Sequence, residues 1–141
     1  MAETLPTALQ LEIVTPDHLV VHESVSAVTL PGKNGYLGIL PGHAPLLSEI
    51  VPGELVYVRD GVSHRLAVSW GFAEVLPDRV IVLAQTAERP EEIDIERAAQ
   101  ALKRAEERLR DTSAPNLDEE RAREALRRAI ARLETARHGP G

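Results

Sequence analysis

Glycine is confined almost entirely to the first half of this chain. Seven of the nine glycines fall within residues 1–71, the next after Gly71 is Gly139, and alanine becomes more frequent after about Glu88. Glycine permits tight turns and alanine favours helix, so the kind of structure must change near Glu88. A chain of 141 residues has room for one ordinary domain and a small appendage. We predict an α+β protein, β then α, with a β domain over residues 1–88 and a helical domain over residues 89–141.

Short β-type runs follow one another through the first segment. They are rich in β-branched or aliphatic residues and read “LQLEIV”, “SVSAVTL”, “ELVYV”, “HRLAVSW”, “FAEVL” and “RVIVLAQ”. Turn signals separate them at Asp60-Gly61 and Pro77-Asp78, and two more, Pro31-Gly32 and Pro41-Gly42, lie in the stretch “LPGKNGYLGILPGHAPLL”. Many short strands without a helical pattern between them predict an antiparallel sandwich or flattened barrel from Leu9 to about Ala87.

The second segment has the period of amphipathic helices. Asp94 is a predicted N-cap, and the segment “DTSAPN” interrupts the pattern before Asp118 or its neighbours restart it, which predicts an antiparallel helix hairpin. About half of the stripe residues are alanine, so we expect the hairpin to be weakly held closed and able to move. The two predicted stripes are Ile95, Ala98, Leu102, Ala105 and Leu109, and Ala122, Leu126, Ala129, Leu133 and Ala136.

Composition excludes several classes of function. The chain has no cysteine, which rules out disulfides, zinc-thiolate sites and a cysteine nucleophile. A formal net charge of −6 argues against general binding of nucleic acid or anionic lipid. The N-terminal residues lack the pattern of a secretory signal and no apolar run approaches the length of a membrane span, so we expect a soluble, cytosolic chain without direct membrane insertion.

The candidate catalytic and metal-binding residues lack the neighbours that such chemistry needs. “GKNGYLG” has neither dinucleotide nor Walker spacing, and His18 and His22 lack a third metal ligand, so we predict no metal site. His43 has no acid or nucleophile at an informative spacing, so we predict no catalytic residue. Two alternatives stay open: a β-sandwich binding module with a helical oligomerisation tail, and a small hydrolase using His43 or His22.

Arginines flank both helical stripes, and a closed hairpin would gather several guanidinium groups. Such a cluster can bind phosphate or an acidic partner surface, but the pattern alone is explained more simply by solvated charges paired with nearby glutamates. The arginines concerned are Arg97 and Arg104 on the first helix, and Arg121, Arg128 and Arg132 on the second.

Five ordered motifs resemble the epsilon subunits of bacterial F-type ATP synthases. They are “LEIVTPD”, “LPGKNGYLGILPGHAPLL”, “PGEL”, “GFAEV” and “ERPEEIDIERAAQAL”, and they span nearly the whole chain. The resemblance implies a β-sandwich followed by a two-helix hairpin. It also implies a non-catalytic rotor subunit that links the gamma subunit to the c ring, couples proton flow to ATP synthesis, and lies at the cytoplasmic face of the bacterial inner membrane.

The resemblance also implies roles for particular residues. Gly42, His43 and Ala44 would contact the c ring. When the helices extend toward the catalytic α and β subunits they would inhibit ATP hydrolysis, with Arg123, Arg127, Arg128 and Arg132 near acidic segments of the β subunits. No cofactor would be required, but ATP with Mg would be a regulatory ligand that favours the closed hairpin. Its implied contacts are Glu88, Asp94, Arg97, Arg104, Arg128 and Arg132.

Overall fold

A computed structural model describes residues 5–111 and 116–139 of the chain, and within them eight strands precede two helices. A single 3-10 turn, Pro90–Glu92, joins the strands to the helices. The strands are β1 (Leu9–Val14), β2 (Leu19–Val25), β3 (Ala27–Gly32), β4 (Gly35–Ile39), β5 (Leu46–Ile50), β6 (Gly53–Arg59), β7 (Val62–Leu76) and β8 (Arg79–Glu88). The helices are α1 (Ile95–Arg110) and α2 (Asn116–His138).

The 15-residue strand β7 organises the sheet. Its first half pairs with β6 and its second half with β5, while β8 pairs antiparallel with residues 67–76 of β7. β1 lies parallel to β8 on the other side, and β3 closes the sheet by pairing with β4, β5 and β6. The result is the predicted sandwich with an aliphatic core. The runs “HRLAVSW” and “FAEVL”, predicted as separate strands, are one continuous strand.

Gly71 marks the place where β7 changes from one layer to the other. The buried core residues are the even-numbered Leu66 and Val68 before it and the odd-numbered Ala73 and Val75 after it. The alternation of inward-facing and outward-facing side chains therefore shifts by one residue around Gly71. A Cβ atom at Gly71 would overlap the carbonyl oxygen of Leu83 on β8. The two strands can approach this closely only because residue 71 has no side chain.

Three of the four predicted turns are confirmed. Asp60 and Gly61 both have positive φ, 52° and 77°, as a type I′ hairpin requires. Pro77-Asp78 and Pro41-Gly42 are also turns. The turn predicted at Pro31-Gly32 lies at Lys33-Asn34, because both earlier residues are still paired with β4.

Helix α1 begins where it was predicted to begin. The Asp94 carboxylate accepts a hydrogen bond from the backbone N–H of Arg97 at 3.0 Å, which confirms the N-cap. Along the predicted stripe, Ala98 and Ala105 are buried. Ile95 was wrongly included, since neither α2 nor the sheet covers its side of the first turn and 58% of it is exposed. α1 ends at Arg110, and residues 112–115 of the predicted break lie outside the described residues.

Helix α2 has two buried faces. The predicted stripe packs on α1 and contains the buried Ala122 and Ala129. A second face, with the buried Ala131 and Thr135, packs on β6 and β7. The hairpin therefore lies closed against the sandwich, and α2 is held between α1 and the sheet.

Candidate functional site

A cavity of about 490 Å³ lies where the sandwich meets the hairpin. Its walls come from the β1–β2 turn, from β7 and β8, and from both helices. Alanines such as Ala101 and Ala125 line it, so their small side chains leave the space open. Four of the six residues predicted to contact ATP line this cavity, namely Glu88, Arg97, Arg128 and Arg132.

Glu88 and Arg132 form an ion pair in the cavity, with one hydrogen bond between them. Arg132 Nε lies 2.9 Å from Glu88 Oε1, and Nη2 donates to Oε2 at 3.1 Å. Both side chains are only about a quarter exposed, so the pair is better shielded than an ordinary surface pair. It ties the last residue of β8 to the middle of α2.

Arginines that form no ion pair line the cavity and favour the binding of an anion. Arg97 and Arg128 also line it, and neither forms an ion pair with another side chain in residues 5–111 or 116–139. Asp17 adds one carboxylate to the wall and His18 an imidazole. Two guanidinium groups without an ion-pair partner, against the single carboxylate of Asp17, are suited to the oxygens of a phosphate or carboxylate.

Asp94 and Arg104 lie outside this cavity. With Arg97 they line a shallower depression along the exposed side of α1. The Asp94 carboxylate is used by the helix cap, so its structural role is already accounted for. Arg97 lines both spaces, and a ligand would have to extend around it to reach all six predicted residues.

The cavity wall includes residues that sequence reasoning missed. Thr15, Asp17 and His18 belong to the turn between β1 and β2, and Gln85 and Thr86 belong to β8. The Ser69 and Thr86 hydroxyl groups are hydrogen-bonded to each other on this wall. No local spacing connects the turn with helices some eighty residues away, so only the tertiary fold reveals that they meet.

Arg89 fastens the join between the two segments. Its guanidinium donates to the Val20 carbonyl oxygen at 3.2 Å and to the Tyr57 hydroxyl at 3.5 Å. The hydrogen bond to Tyr57 raises the pKa of Arg89 above its ordinary value, although burial acts in the opposite direction. The chain therefore leaves the sandwich at Arg89, whose side chain is hydrogen-bonded to the sandwich.

The predicted c-ring residues lie in the loop between β4 and β5. The Gly42 N–H bonds to the Pro77 carbonyl oxygen at 2.8 Å, and a His43 ring nitrogen lies 2.6 Å from the Ala44 carbonyl oxygen. Leu40 and Leu47 beside the loop are 63% and 69% exposed. This end of the sandwich thus presents apolar side chains on a loop held by backbone hydrogen bonds.

The four arginines predicted to meet the catalytic β subunits point to different surroundings. Arg123 pairs with Glu119 at 2.7 Å on the exposed side of α2, and Arg127 is also exposed. Arg128 and Arg132 instead line the cavity. Of the four, Arg132 is the one tied to the sandwich, through its ion pair with Glu88.

The described part of the chain offers neither a cluster of metal ligands nor a membrane-spanning helix. Within it, no group of three or more histidine, cysteine, aspartate or glutamate side chains is placed to hold a metal ion. Neither helix, over its described residues, has the length and hydropathy of a membrane span.

Models of two protein domains match the chain. The first is described as the ATP synthase delta/epsilon chain β-sandwich domain and matches residues 8–90. The second is the ATP synthase delta/epsilon chain long α-helix domain and matches residues 91–137. The matches cover both structural segments in their order along the chain.

Relatives agree with these models. The ATP synthase epsilon chain of Koribacter versatilis is 58% identical over 115 residues, which is 82% of this chain and 78% of that protein. The epsilon chain of Moorella thermoacetica is 52% identical over 130 residues, 92% and 96% of the two chains. A chain in the cryo-EM structure of Euglena gracilis mitochondrial ATP synthase, OSCP/F1/c-ring, has a TM-score of 0.83 and 27% identity, and the match covers 96% of this chain and 85% of that one. The protein belongs to the ATP synthase delta/epsilon chain family, as a non-catalytic subunit of the epsilon type.

Proposed function

We propose that this subunit works in the central stalk of a bacterial F-type ATP synthase, where it joins gamma to the c ring and helps to couple proton flow to ATP synthesis. Its place would be peripheral, at the cytoplasmic face of the inner membrane. The proposal rests on the match of 96% of this chain, at a TM-score of 0.83, to a chain of an assembly that contains F1 and the c ring.

Two exposed apolar surfaces suit two permanent partners. Gly42, His43 and Ala44, beside the exposed Leu40, form the end proposed to meet the c ring. Phe72 of β7 is paired with Leu83 of β8, both are about half exposed, and they form the surface we assign to gamma. Contiguous exposed apolar residues mark protein interfaces, so each surface supports a stable contact.

Co-purification tests which surface contacts gamma and which contacts the c ring. The double variant F72E/L83E should lose gamma, because two charges would be buried at the interface. The single variant L40E should keep gamma and weaken the hold on the c ring. S63E, at another exposed position of β7, is the matched control and should keep both partners. Retention of gamma by F72E/L83E would contradict the assignment.

The hairpin is proposed to regulate ATP hydrolysis by moving between a closed arrangement on the sandwich and an extended arrangement. In the closed arrangement Glu88 holds Arg132, and Arg128 faces the cavity. In an extended arrangement Arg123, Arg127, Arg128 and Arg132 would be free to meet acidic segments of the catalytic β subunits. The small alanine contacts between the helices support a release that costs little.

ATP with Mg is the proposed ligand of the cavity. Arg97 and Arg128 would bind the phosphates, and ATP would favour the closed hairpin because its site needs both helices and the sheet. Arg132 would also bind the phosphates if its ion pair with Glu88 were broken. Arg104 and Asp94 would contact only a ligand that extends past Arg97.

Calorimetry on the full chain tests the ATP proposal. R128A should lower the affinity for ATP-Mg about tenfold or more, because one charged hydrogen bond to phosphate is lost. R110A, in the last turn of α1 and away from the cavity, is the control and should leave the affinity unchanged. Absence of binding to the unmodified chain at millimolar ATP would remove the regulatory role.

A further inference from the structure

We propose that the hydroxyl groups of Ser69 and Thr86 are the part of the sandwich that binds the ligand of the cavity. Thr86 donates a hydrogen bond to an oxygen of a phosphate group, and Ser69 orients the Thr86 hydroxyl. A ligand held in this way joins the sandwich to the hairpin. The assignment rests on the proposed function of the cavity and adds two residues that were not among the expected ATP contacts.

Both residues lie on the wall of the cavity that the sheet provides. Ser69 of β7 and Thr86 of β8 are paired across the two strands, and their hydroxyl groups are hydrogen-bonded to each other. Thr86 and Glu88 are two positions apart on β8, so their side chains project from the same face of the sheet. Glu88 is bound to Arg132 of α2. The Thr86 hydroxyl therefore lies on the side of the sheet that faces α2 and the cavity.

The hydroxyl pair has one more hydrogen than its mutual bond uses. Each hydroxyl carries one hydrogen, and within residues 5–111 and 116–139 neither side chain has another hydrogen-bond partner. Ser69 is only 3% exposed, whereas Thr86 is an exposed residue of the cavity wall. A buried hydroxyl that does not donate loses a hydrogen bond, while an exposed one can donate to a ligand. The favoured arrangement is therefore Ser69 donating to Thr86, which leaves the Thr86 hydrogen free for a ligand in the cavity.

Donors on the helices and on the sheet then face the same space. Arg97 and Arg128 line it from the helices, and Thr86 lines it from the sheet. The carboxylates on the sandwich side, Asp17 and Glu88, repel an anion unless they are paired as Glu88 is. A neutral hydroxyl donor gives the sheet a favourable contact with phosphate. A phosphate chain that contacts the arginines and Thr86 at once can bind only while the hairpin is closed, so its binding would stabilise that arrangement.

Calorimetry on the full-length chain tests the pair, with ATP-Mg and inorganic triphosphate-Mg as the two probes. T86V removes the hydroxyl and keeps the shape of the side chain. It should lower the affinity for both probes about three- to tenfold, the loss expected for one neutral hydrogen bond. T86S restores the hydroxyl and should bind within about twofold of the unmodified chain. T29V, on β3 and outside the cavity, is the matched control and should leave the affinity unchanged.

Substitution of Ser69 tests its orienting role separately. S69A should lower the affinity about twofold, because the Thr86 hydroxyl is no longer held in one orientation. The double variant S69A/T86V should bind no more weakly than T86V, since Ser69 acts on the ligand only through Thr86. A further loss of affinity in the double variant would overturn the orienting role of Ser69.

The two probes distinguish failure of this assignment from failure of the ATP proposal. Equal affinity of T86V and the unmodified chain would overturn the role of Thr86 and leave the ATP proposal intact. Binding of triphosphate that depends on Thr86, without binding of ATP, would support the hydroxyl pair and contradict the nucleotide. Absence of binding of either probe at millimolar concentration would overturn both.

Discussion

At the scale of single residues, Gly71 is the position where β7 tolerates no side chain. The carbonyl of Leu83 occupies the space that a Cβ atom would need. Backbone cannot move aside as a flexible side chain can, so a substitution must separate β7 from β8 or bend one of them. The glycine content of the first segment indicates turns, but this close approach depends on two strands meeting and is not visible in sequence.

We predict that G71A lowers the free energy of unfolding of the sandwich by about 1–3 kcal/mol, the usual range for forced overpacking. Urea unfolding followed by circular dichroism measures the change. G38A is the control, because a Cβ atom at Gly38 meets nothing within 4 Å. Equal stability of G71A and the unmodified chain would show that the strands adapt.

Asp94 allows its two suggested roles to be separated. D94A removes the carboxylate that caps α1 and should destabilise the helix by about 1 kcal/mol, as thermal unfolding would register. D94N keeps a capping oxygen and should retain most of that stability. If D94N nevertheless lowers ATP affinity as much as D94A, Asp94 acts on the ligand as well as on the helix.

At the scale of secondary-structure elements, α2 is decisive because it packs on α1 and on the sheet at once. The face toward α1 was predictable from the spacing of Ala122, Leu126 and Ala129. The face toward the sheet was not, since Ala131 and Thr135 are small and carry no strong hydrophobic signal. The Thr135 hydroxyl is fully buried and has no hydrogen-bond partner in the described part of the chain.

We predict that T135V tightens the docking of α2. An unpartnered buried hydroxyl opposes burial, and valine has nearly the same shape without the polar group, so docking should gain about 1 kcal/mol. Increased amide-exchange protection across α2 would measure the gain. T135S keeps the hydroxyl and loses a methyl group, and it should therefore weaken docking. Equal protection in all three chains would mean that the hydroxyl is satisfied in solution.

At the scale of the whole molecule, the cavity is assembled from three distant parts of the chain. The arginine pattern of the helices placed Arg97, Arg128 and Arg132 among the candidates, and the resemblance to a known family added Glu88. The fold brings these four residues together. It does not bring Arg104 into the same space. The wall contributed by Thr15, Asp17 and His18 could not be predicted, because it depends on how the hairpin lies on the sandwich.

The same arrangement would link the proposed regulation to the position of α2. With α2 docked, Arg132 is neutralised by Glu88 and the end of the helix is held at Glu54. Extension would have to break both contacts and would release Arg132 from Glu88. The packed structure and the proposed inhibitory structure are thus alternatives that use the same residues.

ATP hydrolysis by the assembled synthase shows whether α2 inhibits the enzyme. A complex that carries the chain ending at residue 117 would be compared with one that carries the full chain, after confirming that both contain gamma and the c ring. The account predicts equal assembly and severalfold faster hydrolysis without α2, because the inhibitory arginines are gone. Unchanged hydrolysis in a fully assembled complex would contradict it.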